Sequence, residues 1–247
     1  PETREFLGYL TAVDPRVRVL PDPSPFNFAG LNNRAVAATD APLICFLNND
    51  TEVITPDWLD RMAAEALRPE VGTVGARLLY PDGTVQHAGV ILGLGGVAGH
   101  GEAGLPAAAP GHLWRAVASH RRCAVTAACL MTRRELFEEV GGFDDVHLAI
   151  DFNDVDLCLR LADRGLINVM LPSVELVHKE SVSRGSQRAP DDATRFAGEV
   201  AHMRATWGRH LDIDPSYNPN LSIALNEPYD LAAVPRTTPV WKKTNSR

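Results

Sequence analysis

Three clusters of side chains have the types and spacing for metal or acid–base chemistry. Asn48-Asn49-Asp50-Thr51 directly follows the apolar run 43–47. In open α/β sheets ligands collect beyond the carboxyl ends of strands, so a carboxylate at this point faces the crevice. Asp50 there suits a hard cation such as Mg²⁺ or Mn²⁺, which takes oxygens from protein carboxylates and substrate phosphates. The same four residues also read as turn chemistry leading into a helix capped by Thr55. The second cluster is Asp151-Phe152-Asn153-Asp154-Val155-Asp156. Behind it Val155, Cys158, Leu159 and Ala162 form one helical stripe, and Leu157 with Leu161 a second. Asp156 falls beside Arg160 and Asp163, as an ion pair one turn apart on a wet face would. Asp154 lies beside Leu161, where a partly desolvated carboxylate can act as a base; the competing reading is a capping box, with Asp151 as N-cap and Asp154 three positions on. The third is His178, on the face of Val174 and Leu176, read either as a hydrogen-bonded core histidine or as a ligand. His87 has the same ambiguity and a weaker case.

The elements around these residues alternate strand and helix through about residue 180, which predicts an α/β domain with a mixed, mostly parallel sheet flanked by helices. Strands are expected at 16–20, 42–47, 71–79, 123–129, 167–171 and 174–178. Helices are expected from Phe28, from Thr55-Pro56 to about Leu67, from Arg133 to Gly141-Gly142, from after Asp151 to Gly165, and over 193–210. Residues 89–110, rich in Gly, Ala and Pro, read as a long loop, and 181–192 as a polar loop. The proline-bearing stretch 213–247 reads as an extended C-terminal arm behind a core of residues 1–212. Within the long loop, Gly93-Leu94-Gly95-Gly96-Val97-Ala98 formally matches a dinucleotide fingerprint. The segment after it, Gly99-His100-Gly101-Glu102, cannot easily open a helix to receive a pyrophosphate, so a mobile loop is expected instead.

Composition narrows the function further. The 247 residues carry 24 basic and 31 acidic side chains, a net charge of −7, with the basic residues scattered. That balance argues against a cationic surface for nucleic acid. The pairs Arg121-Arg122 and Arg133-Arg134 could face a diphosphate, but surface solvation is the simpler expectation. Four cysteines without a C-x-x-C pair indicate neither a zinc cage nor a disulfide framework, and suit a reducing compartment. No apolar run has the length of a membrane helix.

Several motifs taken together closely resemble the family 2 glycosyltransferases of bacterial polysaccharide assembly. They are Phe26-Asn27-Phe28 with Asn32-Asn33, Phe46-Leu47-Asn48-Asn49-Asp50-Thr51, Pro81-Asp82-Gly83-Thr84, Gln86-His87-Ala88-Gly89, Gly141-Gly142-Phe143-Asp144 and Phe152-Asn153-Asp154-Val155-Asp156. The order and spacing agree over about residues 16–220. The resemblance implies a GT-A fold, an inverting transfer of a sugar from a nucleotide diphosphate donor to a hydroxyl acceptor, and a divalent metal, Mg²⁺ or Mn²⁺. It places the donor and metal motif at Asn48-Asn49-Asp50, with asparagine where the first acid usually stands, a further metal ligand at His178, and the base at Asp154, with Asn153 in place of the more frequent acid before it. It also implies a saccharide or lipid-linked saccharide acceptor and cytoplasmic action at the inner face of the cell membrane, and leaves room for peripheral membrane association and a homo-oligomer. The family's amino-terminal strand and nucleobase-binding elements have no counterpart here, so a member retaining the metal and acceptor elements without most of that pocket is expected. A second reading is a catalytically inactive module of the same fold with an incomplete donor site. A third, a nucleotidyltransferase, lacks its glycine-rich loop with a basic residue.

Overall fold

A computed structural model describes residues 2–179, 190–225 and 228–236. Helix α1 (Glu2–Val13) buries none of its residues. The expected strand at 16–20 is an exposed connection: Arg16 pairs with Asp14, and Arg18 donates to the Ala38 carbonyl at 2.5 Å. Helix α2 (Phe28–Ala37) starts where its stripe predicts, with the Asn27 side chain accepting the Gly30 N–H at 2.7 Å. Strands β1 (Leu43–Leu47) and β2 (Thr51–Val53) enclose the Asn48-Asn49-Asp50 turn. Helix α3 (Trp58–Ala66) begins later than Thr55-Pro56 suggests, because the Thr55 hydroxyl accepts the N–H of Glu175 instead of capping the helix.

Strand β3 (Val71–Leu79) is buried along its whole length, and the Gly83 turn returns the chain into β4 (Val85–His87). Strands β5 (Val90–Leu92) and β6 (Ala98–His100) form a hairpin, followed by β7 (His120–Arg122) and β8 (Cys129–Arg133). Helix α4 (Arg134–Glu139) stops at Gly141 and Gly142, whose φ of 85° and 74° glycine adopts freely. Then come α5 (Asn153–Asp163), β9 (Ile167–His178) and α6 (Pro190–Asp212). The two strands expected at 167–178 are one, with a register shift against β3 at Ala76/Arg77.

The main sheet runs β1-β8-β3-β9-β2, with β4 added to β3 and β7 to β9. Among the described strands only β3 and β9 are parallel in it; the other pairings are antiparallel. The sheet is therefore mixed but not mostly parallel, since tight turns and irregular loops return several strands without a crossover helix. Helices α2, α4, α5 and α6 cover one face, burying Phe46, Leu130, Phe137, Leu157, Leu161 and Met203. Helix α3 covers the other, over Val74, Leu78, Met131 and Leu176. Each such large side chain contributes about 1.5–3 kcal/mol when fully buried.

Three further expectations change. Cys123, Val125 and Ala127 are buried as expected of core residues, yet Ala124 and Ala128 are buried too, and the segment between β7 and β8 is irregular. A Cβ at Gly75 of β3 would stand 2.5 Å from Val125, so glycine is what lets this segment close on the sheet. The glycine-rich stretch is a packed turn rather than a mobile loop: Ile91 and Leu94 are buried with Tyr217 and Leu221. Residues 213–225 and 228–236 accordingly fold back onto the hairpin instead of extending away. Asp214 accepts the Leu92 N–H at 2.9 Å and Tyr229 donates to Glu102 at 2.5 Å. Such irregular packing leaves no periodicity to read. Most of the polar loop at 181–192 and the end of the arm lie outside the described residues.

Candidate active site

Strand pairing assembles the first half of the site. In the β2–β9 register Thr51 faces His178, and the Lys179 N–H donates to the Asp50 carbonyl at 2.9 Å. This sets His178 Nε2 3.1 Å from Asp50 Oδ1 and 3.2 Å from Asn48 Nδ2. On the other side of the ring, Nδ1 lies 2.6 Å from Gln86 Oε1. An amide oxygen only accepts, so Nδ1 carries the proton and the Nε2 lone pair faces Asn48 and Asp50. Asp50 Oδ1 is itself buried and takes no hydrogen bond, because its approach to His178 has ion-pair distance without hydrogen-bond geometry. A buried carboxylate oxygen without a hydrogen-bond donor beside an imidazole lone pair is a place short of positive charge. The donor set fits a divalent cation, and Gln86 stands where an outer partner orients a ligating histidine.

Helix α5 supplies the second half. Phe152 precedes it with φ 63°, a conformation rare outside glycine. It is held there by Asn153, which donates to the Ile150 carbonyl at 2.9 Å, and by Glu199 of α6, which accepts the Ile150 N–H at 2.9 Å. Asp154 Oδ2 accepts the Ala127 N–H at 2.9 Å and Oδ1 accepts the Val155 N–H at 2.8 Å, so two backbone donors aim the carboxylate. Ala128, next to Ala127, accepts the Asn48 N–H at 3.0 Å. The strip 126–128 thus ties both carboxylate-bearing segments together. Asn48, Asn49, Asp50, Asp154 and His178 line one open cavity of about 480 Å³, shared with Phe28, Asn32, Thr126 and Asn153.

Some expected roles do not survive. Asp151 is no N-cap: it pairs with Arg195 at 2.8 Å, and the cap position is Phe152. Asp156 does pair with Arg160, at 2.7 Å, but on a buried face where it also accepts the Trp207 indole N–H at 2.8 Å. His87 is wholly buried, 2.8 Å from His100, and takes the Thr126 N–H on Nε2. Burial, then the charges of His100 and Arg122, holds it well below the usual histidine range, so it props the cavity wall as a neutral ring. Arg122 is buried near Glu102, while Arg133 and Arg134 bond the carbonyls of Ala66 and Ala41; none of these three lines the cavity. Gln86 was visible only as part of a motif, since its role depends on a partner 92 residues away.

This mixed sheet superposes on solved glycosyltransferases of the GT-A fold class. Among solved structures of that kind, GalNAc-T7 with UDP, GalNAc and Mn²⁺ superposes with a TM-score of 0.63 at 12% identity, covering 85% of this chain and 40% of that one. The mannosyltransferase PcManGT from Pyrobaculum calidifontis, in complex with GDP-Man and Mn²⁺, gives 0.53 at 16% identity, over 84% and 51%. The sequence profile described as Glycosyl transferase family 2 matches residues 1–141, and the chain belongs to that family. It is 48% identical over 226 residues to the uncharacterized protein y4gI of Sinorhizobium fredii, covering 92% of this chain and 25% of that protein. It is 41% identical over 220 residues to the O-antigen biosynthesis protein RfbC of Myxococcus xanthus, covering 87% and 16%. With the N-acetylglucosaminyl-diphospho-decaprenol L-rhamnosyltransferase of Mycobacterium tuberculosis it shares 29% over 214 residues, covering 78% and 66%. The chain therefore spans a quarter or less of the first two of these relatives.

Proposed function

We propose that this chain is the sugar-transferring domain of a polysaccharide-assembly enzyme, moving a sugar with inversion from a nucleotide diphosphate to a hydroxyl of a saccharide or lipid-linked saccharide. The observation that carries the reading is the shared cavity: a hydrogen-bond-poor Asp50 beside His178 at one part of the wall, and a backbone-aimed Asp154 at another. Membership of family 2 and the relatives in O-antigen and rhamnosyl chemistry support it.

In this reading Asp50 and His178 hold a divalent cation, Mn²⁺ or Mg²⁺, together with the donor diphosphate, and Asn48 and Asn49 border the same diphosphate. When bound, the cation supplies charge stabilisation to the departing nucleoside diphosphate. Asp154 accepts the proton of the acceptor hydroxyl as its oxygen bonds to the anomeric carbon; the carbon–oxygen bond to the diphosphate breaks and its electron pair leaves with the nucleotide. One displacement of this kind inverts the sugar and needs no enzyme nucleophile. Gln86 keeps the His178 ring turned toward Asp50. Among the described residues no helix is long and apolar enough to cross a membrane, and the four cysteines are free. We place the action at the cytoplasmic side, where nucleotide sugars are made.

The test is a screen of common nucleotide sugars for transfer and slow donor hydrolysis, with and without Mn²⁺, on the native chain and Asp154→Asn. Turnover that needs the cation and falls about 10²–10⁴-fold in the variant supports the base role. Turnover unchanged by the substitution removes Asp154 from it.

A further inference from the structure

Apart from the residues that line the active-site cavity, Asp144, His147 and His202 bring a carboxylate oxygen and two imidazole nitrogens within 4.8 Å of one another. The first two follow Gly141-Gly142-Phe143, and His202 projects from α6. Asp144 Oδ1 accepts the N–H groups of Val146 at 3.1 Å and His147 at 2.9 Å. That turns Oδ2 toward the imidazoles, 3.0 Å from His147 Nδ1 and 3.4 Å from His202 Nε2. In a tetrahedral metal site with bonds of about 2.0–2.1 Å, neighbouring donor atoms stand roughly 3.3 Å apart. Two of the three edges between donors are therefore close to that length already. The rings stack with centroids 4.4 Å apart and planes 4° from parallel, and closing the third edge requires the His147 side chain, 57% exposed, to turn out of that stack while keeping its contact with Asp144.

We propose that Asp144, His147 and His202 form a second metal site, for a borderline transition-metal ion such as Zn²⁺, that clamps the loop after Gly142 to α6. Two imidazoles with one carboxylate select against Mg²⁺ and Ca²⁺, which prefer oxygen, and leave a fourth position for water. The clamp acts on positioning. Through Glu199 and Arg195, α6 also holds the backbone of Ile150 and the side chain of Asp151, which lead directly to Asp154.

Calorimetry of the tag-free chain with Zn²⁺, and visible absorption with Co²⁺ as the spectroscopic substitute, test the site. One equivalent of Co²⁺ should give the intense d–d bands of a tetrahedral site, and Zn²⁺ should displace it and raise the unfolding temperature. His202→Gln and His147→Gln, both at positions with solvent access, should weaken binding at least about tenfold and abolish the bands, whereas Asp50→Asn should leave the bands intact. Bands lost in Asp50→Asn but retained in either histidine variant would assign the ion to the cavity and overturn the proposal, as would the absence of any Co²⁺ band.

Discussion

Asp156→Ala separates the buried reading of this carboxylate from the exposed one. The side chain is 5% exposed and Arg160 24%, with the closest approach 2.7 Å, and the Trp207 indole donates to the other oxygen at 2.8 Å. A hydrogen bond to a charged group is worth about 1.5–3 kcal/mol, and a buried donor left without an acceptor costs about 1–3 kcal/mol. Arg160 would keep its bonds to the carbonyls of Val140 at 2.6 Å and Gly142 at 2.7 Å, which softens the loss. The net is about 3 kcal/mol, below the cost of stranding a fully buried charge. For a domain of this size that lowers the melting temperature by roughly 6–12 °C. Urea and thermal unfolding read the change directly, and Asp156→Asn, which keeps an acceptor for the indole, should lose about half as much. A loss under about 0.5 kcal/mol, ordinary for an exposed pair one helical turn apart, would refute the buried arrangement.

Other expectations follow from the same contacts. Gly75→Ala would drive a methyl into Val125 and should destabilise by about 1–3 kcal/mol, whereas Gly198→Ala, exposed on α6 with open space around it, should stabilise by about 0.5–1 kcal/mol; unfolding midpoints that rank the other way contradict the packing. Gln86→Leu leaves the buried His178 Nδ1–H without its acceptor, and should weaken Mn²⁺ binding about 10- to 100-fold while costing about 1–3 kcal/mol of stability; an unaltered Mn²⁺ titration would show that Gln86 orients nothing. Burial lowers His120 to about 4 and holds His87 well down, so both stay neutral in the fold while the unfolded chain protonates them. The unfolded state then binds more protons, and stability falls as pH drops from about 6.5 toward about 4. His120→Gln should flatten that slope, and a urea midpoint with the same pH dependence in the variant would count against it.

What the sequence revealed and what it hid divide along range. The helices at α2, α5 and α6 were legible because a 3.6-residue stripe is a local signal, and the turn after β1 put Asp50 at a strand end before any pairing was known. Pairing direction was not legible. The alternation of strand and helix suggested a parallel sheet, while the loop that brings β8 between β1 and β3 runs it antiparallel to both. Asp156 looked solvated because its cover, Trp207, comes from 51 residues away. Similarly, His178 gained its meaning from Asn48, 130 residues upstream, once β2 paired with β9. The C-terminal stretch hid its packing because Tyr217 and Leu221 dock through irregular backbone.

Titration of a nucleoside diphosphate with Mn²⁺ into three forms of the chain, native, Asp50→Asn and Asp154→Asn, tests the central claim most directly. The division of labour in the cavity predicts that Asp50→Asn loses the Mn²⁺-dependent part of binding, while Asp154→Asn binds like the native chain and fails only in transfer. Equal Mn²⁺-dependent binding by the native chain and Asp50→Asn would contradict it.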